Sequence, residues 1–204
     1  LNRLYLYVRD TKTRELYAVE PHHYYQKIKG ASQLFQGITD STMTHGHGWH
    51  FIQTGRYLER AGAIASLVST NLLPLLEATD PSEIYLGCLG ILKSCTAWEA
   101  YCKVYSAELD PHHVMQFLLL SKEFPHSLHL CVDQLALAFR ALAEGTGMTA
   151  RRGLEPVVGR LLADLRYTPI EEVGQLHGRP EAFLAAVRKT LGEAHSLLYR
   201  FYLS

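Results

Sequence analysis

Two arginines and a glutamate stand together just before a long uncharged part of the chain. Arg56, Glu59 and Arg60 are followed by sixteen residues, 61–76, that carry no charge. On a helix, Arg56 and Arg60 lie one turn apart on the same face. Two guanidinium groups placed in this way could hold a carboxylate or a phosphate bidentately. The same residues could instead form a buried ion-pair network that fixes helix packing, and the chemistry alone leaves both interpretations open.

A carboxylate elsewhere in the chain is a candidate partner for these arginines. If residues 81–105 form one helix, Glu99 lies in an otherwise apolar stripe of cysteine and leucine side chains. A buried carboxylate without a partner is energetically costly. We therefore expect Glu99 to be partly buried and to pair with one of the two arginines.

A third polar group lies where two helices are expected to meet. Residues 123–127 read EFPHS and combine a carboxylate, an aromatic ring and a hydroxyl group. Because the N-terminus of a helix can bind an anion, Ser127 is either a ligand contact or an ordinary helix cap. The resulting candidate binding cluster comprises Arg56, Tyr57, Glu59, Arg60, Glu99, Tyr101, Glu123 and Ser127.

Histidines are abundant, and two Glu-x-x-His pairs match the spacing of di-iron helical bundles. These pairs are Glu20 with His23 and Glu123 with His126. A proline follows the first glutamate directly and the second after one intervening residue. Each glutamate therefore stands at or before a helix start, and it need not lie on the same helical face as its histidine. We predict no metal and no cofactor, and a metal-binding bundle stays a third hypothesis. The chain has no GxSxG, Walker A, GxGxxG, HExxH or catalytic-triad signature, so we assign no catalytic residue.

Proline placement predicts an all-α fold, because proline is favoured at the first position of a helix. No stretch shows the alternation typical of strands. Residues 47–76 are apolar on every side, which predicts a long central helix buried among the others. A segment with three glycines, 143–153, predicts a mobile surface loop. The predicted helices cover about 1–9, 21–41, 47–76, 81–105, 111–120, 126–144, 151–166 and 180–202.

Composition excludes several classes of function. Twenty basic and twenty acidic residues cancel, so no net field attracts nucleic acid or an anionic membrane. The uncharged run 61–76 is too short to cross a bilayer and contains Asn71 and Pro74. Four cysteines without a CxxC pair predict reduced, buried thiols in a cytoplasmic protein.

The chain resembles the alpha-E family, an all-helical domain of unknown biochemical function that is characterised by a Glu-Arg motif. The match centres on GRYLERA, residues 55–61, which contains Glu59 and Arg60. Members of the family typically carry two copies of the motif, and the single copy here looks like the second. We therefore expect one alpha-E-like domain over 1–204 that belongs to a longer protein. Five further stretches extend the resemblance, namely 4–10, 34–37, 94–101, 117–120 and 123–127.

The resemblance also implies a biological setting. Alpha-E proteins are associated with circularly permuted ATP-grasp ligases and transglutaminase-like proteins in a predicted bacterial system for peptide synthesis or modification. We therefore expect an accessory or scaffold protein of that system, with a homo-oligomer as a further possibility. The alternative is an enzyme of the same pathway that binds a carboxylate-bearing peptide or amino acid through the arginine and glutamate cluster.

Overall fold

The computed structural model describes residues 2–146, 148–167 and 180–202. Within those ranges the chain is helical and contains no strand, so the predicted all-α class is confirmed. Contacts divide the chain into two compact units, Leu1–Trp49 and His50–Ser204, and the assignment of a single domain stays a prediction. The helices are α1 (Asn2–Arg9), α2 (Thr11–Val19), α3 (Pro21–Thr42), α4 (His47–Leu67), α5 (Pro81–Ser94), α6 (Trp98–Tyr105), α7 (Pro111–Leu120), α8 (Leu128–Thr146), α9 (Met148–Tyr167) and α10 (Pro180–Tyr202).

The first unit is held together by tyrosines. Tyr7 stacks on Tyr24 with ring centroids 6.0 Å apart, which joins α1 to α3. Tyr17 of α2 meets the edges of Tyr24 and Tyr25 at 5.3 and 5.9 Å. In this part of the described chain, Thr39 is the buried residue of α3, and most of the large apolar side chains remain exposed. Aromatic contacts between helices therefore organise this unit in place of a deep core.

The second unit is built on α4, and one side of this helix is buried. Ala61, Ile64 and Ala65 are buried, whereas Glu59 and Ala63 are exposed. The prediction of a helix buried on every side is therefore wrong. Small side chains such as alanine count as apolar in the sequence, but exposing them to water costs little.

The long helix also changes character before it ends. After Leu67 the chain forms a π-helical segment, Val68–Leu72, and then a 3-10 segment, Leu73–Leu76. Pro74 explains the change, because it has no backbone N–H and its ring displaces the carbonyl one turn earlier. The helix predicted over 47–76 is continuous, but its last nine residues are not α-helical.

Residues 81–105 form two helices instead of the single predicted one. The amide of Ala97 bonds the carbonyl of Leu92 at 2.7 Å, and the amide of Thr96 bonds that of Lys93 at 3.1 Å. This pair of bonds is a Schellman motif, which requires a left-handed residue after the helix. Thr96 takes that conformation with φ of 53°. Glycine usually fills this position, so the sequence carried no signal of the break.

The last three helices pack together around an apolar core, with α9 in contact with both α8 and α10. Phe139, Leu161 and Phe183 are buried between them. The prediction of a mobile loop over 143–153 is wrong for the described residues, because α8 runs to Thr146 and α9 begins at Met148. No helix among the described residues is long and apolar enough to cross a membrane.

Replacing Thr96 by glycine is expected to stabilise the protein. A β-branched side chain in the left-handed region is strained, and glycine removes that strain. Glycine also raises the conformational entropy of the unfolded chain, which offsets part of this gain. The net increase in the free energy of unfolding is therefore about 1 kcal/mol. Urea denaturation of Thr96→Gly measures it.

Thr79→Gly is the matched control, because Thr79 is an exposed threonine of a connection and does not have a positive φ. At Thr79 glycine relieves no strain and only raises the entropy of the unfolded chain, so the free energy of unfolding should fall. A loss of stability in both variants would contradict the assignment of strain to Thr96.

Candidate functional site

The two residues of the Glu-Arg motif point to different surroundings. Arg60 is half-buried, and its Nη1 donates a hydrogen bond of 3.1 Å to the backbone carbonyl of Pro125. Its guanidinium also lies 5.7 Å from the centre of the Tyr57 ring, one turn earlier on α4. Glu59 is exposed. The motif therefore contributes its arginine to the packing of the second unit and leaves its carboxylate at the surface.

Arg60 binds the connection between α7 and α8, residues 121–127, which we call the EFPHS loop. The Oγ of Ser121 accepts a bond of 3.1 Å from the amide of Phe124. The Oγ of Ser127 donates to the carbonyl of Ser121 and accepts from the amide of Leu130 at 3.1 Å. Ser127 is fully buried and caps α8, so this hydroxyl group is engaged with the backbone.

Buried titratable groups surround the same carbonyl. The Sγ of Cys131 lies 3.8 Å from the oxygen of Pro125, and burial raises the pKa of this thiol to about 12 while the charge of Arg60 opposes the rise. Burial also lowers the pKa of His126, and the Arg60 guanidinium lowers it further. A backbone hydrogen bond with Cys95 acts in the opposite direction on His126. At neutral pH, Arg60 is therefore the charged group of this cluster.

The predicted pairing of Glu99 is wrong. Glu99 is exposed, and the described structure contains no ion pair between it and Arg60. The turn at Thr96 is the reason, because α6 starts afresh at Trp98 and does not continue the apolar stripe of α5. The helical register that placed Glu99 in that stripe is lost at the turn.

Tyr101 belongs to the core. It is fully buried, its hydroxyl donates to the carbonyl of Glu108 at 2.9 Å, and burial raises its pKa to about 12. Glu123 is exposed on the EFPHS loop, and Arg56 is half-buried on α4. Of the eight predicted residues, the structure therefore brings four to this loop, with Arg60, Tyr57 and Ser127 in its packed part and Glu123 exposed. Sequence reasoning missed the central acceptor because it is a backbone carbonyl, which no residue type reveals.

Glu59 lines an open groove of about 400 Å³ between α4 and α10. Neither Gly62 nor Gly192 has an atom within 4 Å of the position that a Cβ would occupy, so the floor of the groove has room. The groove carries one carboxylate and one guanidinium from facing helices. Its lining comprises Leu58, Glu59, Gly62, Ala63, Ser66, Arg188, Leu191, Gly192 and His195.

The cysteines and histidines form no metal-binding group in the described ranges. No three histidines, cysteines or carboxylates there lie close enough together to hold an ion. The four cysteines are free, and burial raises the pKa of Cys88 to about 11 and also that of Cys95. The thiols of Cys88 and Cys95 are therefore protonated core groups at neutral pH.

Removing the Arg60 side chain should destabilise the second unit. Arg60→Ala leaves the carbonyl of Pro125 without its charged donor, which costs about 1–2 kcal/mol for a half-buried group. The pKa of His126 should rise, because a neighbouring cation is lost. Urea denaturation and a histidine titration by NMR measure the two effects.

Arg140→Ala is the matched control, since Arg140 is an exposed arginine of α8. Its free energy of unfolding should change by less than about 0.5 kcal/mol. Equal effects of the two substitutions, with an unchanged His126 pKa, would contradict the role of Arg60.

Stability should fall as the pH drops below about 6.5, the ordinary pKa of histidine. Burial lowers the pKa of both His126 and His129 in the folded protein. The unfolded chain therefore takes up protons that the folded chain does not, and each histidine contributes a loss of up to about 1.4 kcal/mol per pH unit until its folded pKa is reached.

The comparison of His129→Gln with His112→Gln between pH 7 and 5 measures this contribution. His112 is exposed, so its replacement should leave the slope of stability against pH unchanged. His129→Gln should flatten that slope, and the same slope in both variants would refute the assignment.

Comparison with known proteins identifies the family of this chain. A family model described as "Alpha-E: a predicted alpha-helical domain with a conserved ER motif" matches residues 1–203. No curated protein and no solved structure matches the chain. Glu59-Arg60 is the Glu-Arg pair of this sequence, and the match covers nearly all of its length. The chain belongs to the Alpha-E family.

Proposed function

We propose that this chain is an accessory scaffold that docks on a circularly permuted ATP-grasp ligase, in a bacterial system that makes or modifies peptides and includes transglutaminase-like proteins. One observation carries the proposal. Arg60 is engaged with the backbone carbonyl of Pro125, whereas Glu59 is exposed and lines a groove. The arginine of the motif thus serves the fold, and its carboxylate is available to a partner.

The distribution of polar groups favours a scaffold over an enzyme. A catalytic site brings reactive side chains together in a concave pocket from which water can be excluded. Here the predicted cluster is dispersed, with Glu59, Glu99 and Glu123 exposed and Tyr101 in the core. Ser127 is committed to a helix cap. None of these groups is placed against another as a nucleophile is against its base.

The groove between α4 and α10 suits a segment of the ligase. Gly62, Ala63 and Gly192 carry small or no side chains, so a helix or an extended strand of a partner could approach closely. Glu59 and Arg188 offer opposite charges from the two walls. A segment with one basic and one acidic side chain would match both, and such complementarity selects the partner and its orientation.

Binding of the purified ligase, measured by titration calorimetry, tests this proposal. Glu59→Lys reverses the charge of the groove, and Gly62→Leu fills its floor without meeting an atom near its Cβ. Each substitution should weaken binding by about tenfold or more, as for the loss of a charged or well-packed contact. Circular dichroism of each variant confirms that the fold is retained.

Glu99→Lys is the matched control, because Glu99 is an exposed carboxylate that does not line the groove. It should bind the ligase as tightly as the unmodified protein. Wild-type affinity in both groove variants would overturn the proposal. If Arg60→Ala stays folded and binds the ligase but abolishes the peptide product, the alternative of an enzyme that binds a carboxylate substrate is favoured.

A further inference from the structure

A second cavity lies on another side of the unit, at the N-terminus of α8. It has a volume of about 430 Å³ and is lined by Lys122, His129, Leu130, Asp133, Arg166 and Tyr167. These residues come from the EFPHS loop, the first turns of α8 and the last turn of α9. None of them lines the groove of Glu59, so this cavity, which we call the His129 cavity, is a separate feature.

His129 is the unusual residue of this cavity. The residue is only 5% exposed, and neither Nδ1 nor Nε2 has a hydrogen-bond partner among the residues that the structure describes. A buried polar atom without a partner costs about 1–3 kcal/mol. By contrast, the nearby hydroxyl groups of Ser121 and Ser127 have hydrogen-bond partners. A ring that the fold buries at a cavity wall without a partner points to a ligand that supplies one.

The charges around the cavity define the ligand. Lys122 and Arg166 are cationic, and Asp133 forms an ion pair of 2.5 Å with Arg166. The lining therefore carries a net charge of one positive unit at neutral pH. The positive end of the α8 dipole adds to the attraction for an anion. A singly charged anion balances this set, whereas a dianion would be opposed by the carboxylate of Asp133.

We propose that the His129 cavity binds a small carboxylate, held by Lys122 and Arg166 and by an N–H of the His129 ring. The source is either a free amino acid or the C-terminus of a peptide, because both present the same group. The site does not depend on the docking of a ligase, since it shares no residue with the groove.

The protonation of His129 couples to this binding. Burial lowers the pKa of His129, Asp133 raises it, and Lys122 and Arg166 lower it. A bound carboxylate would favour the imidazolium form, so it should raise the pKa of His129. By linkage, affinity should increase as the pH falls towards that pKa.

NMR of the histidine rings in the whole chain tests the inference, with acetate as the first probe. Acetate should shift the His129 signals in a saturable way and raise the pKa of that ring. N-acetylglycine should act in the same way, whereas N-acetylglycinamide, which has no carboxylate, should not. Glycine that binds more tightly than N-acetylglycine would indicate a free amino acid, and the reverse order would indicate a peptide C-terminus.

Lys122→Gln should weaken binding of acetate by about tenfold, which corresponds to the loss of one charge-assisted hydrogen bond. Lys103→Gln is the matched control, because Lys103 is an exposed lysine of α6 outside the cavity. His129→Phe separates the ligand site from a merely packed ring. We expect this variant to lose acetate binding even when it is more stable than the unmodified protein.

Three results would overturn the inference. The first is that tens of millimolar acetate leaves the His129 signals unchanged, which would mean that water alone occupies the cavity. The second is that inorganic phosphate binds and acetate does not. The third is that His129→Phe or Lys122→Gln binds acetate as tightly as the unmodified protein.

Discussion

The hydrogen bond from the guanidinium of Arg60 to the carbonyl of Pro125 joins the three elements on which the second unit depends. It ties α4 to the EFPHS loop, and the loop in turn caps α8 through Ser127. The contact bridges sixty-five positions of the sequence, so it can form only when the fold is assembled. A charged donor makes a stronger hydrogen bond to a carbonyl than a neutral donor does, which is consistent with an arginine at this position.

Because of this contact, the two residues of the family motif have different surroundings. Arg60 is used internally, and it also lowers the pKa of His126 beside it. Glu59 is adjacent in the sequence but points about 100° away on the helix, and it lies in the open groove. Two neighbouring residues of the sequence thus have different surroundings, since Arg60 bonds the backbone of the EFPHS loop and Glu59 lies at the surface.

The sequence predicted the helical class and the starts of several helices, because proline marks the first turn at Pro21, Pro81, Pro111 and Pro180. It could not predict the turn at Thr96, since a threonine in a left-handed conformation has no signature. That one turn moved Glu99 from an expected ion pair to the surface. Local patterns fix helices, whereas the site depends on contacts between backbone and side chains that are distant in sequence.

Amide hydrogen exchange at the start of α8 tests the central claim most directly. Leu130 and Cys131 donate their amides to Ser127, so their protection reports whether the EFPHS loop is held in place. If Arg60 holds that loop, Arg60→Ala should speed exchange at both amides by about tenfold or more, relative to amides in the middle of α10. Unchanged protection at Leu130 and Cys131 in the folded variant would contradict the account.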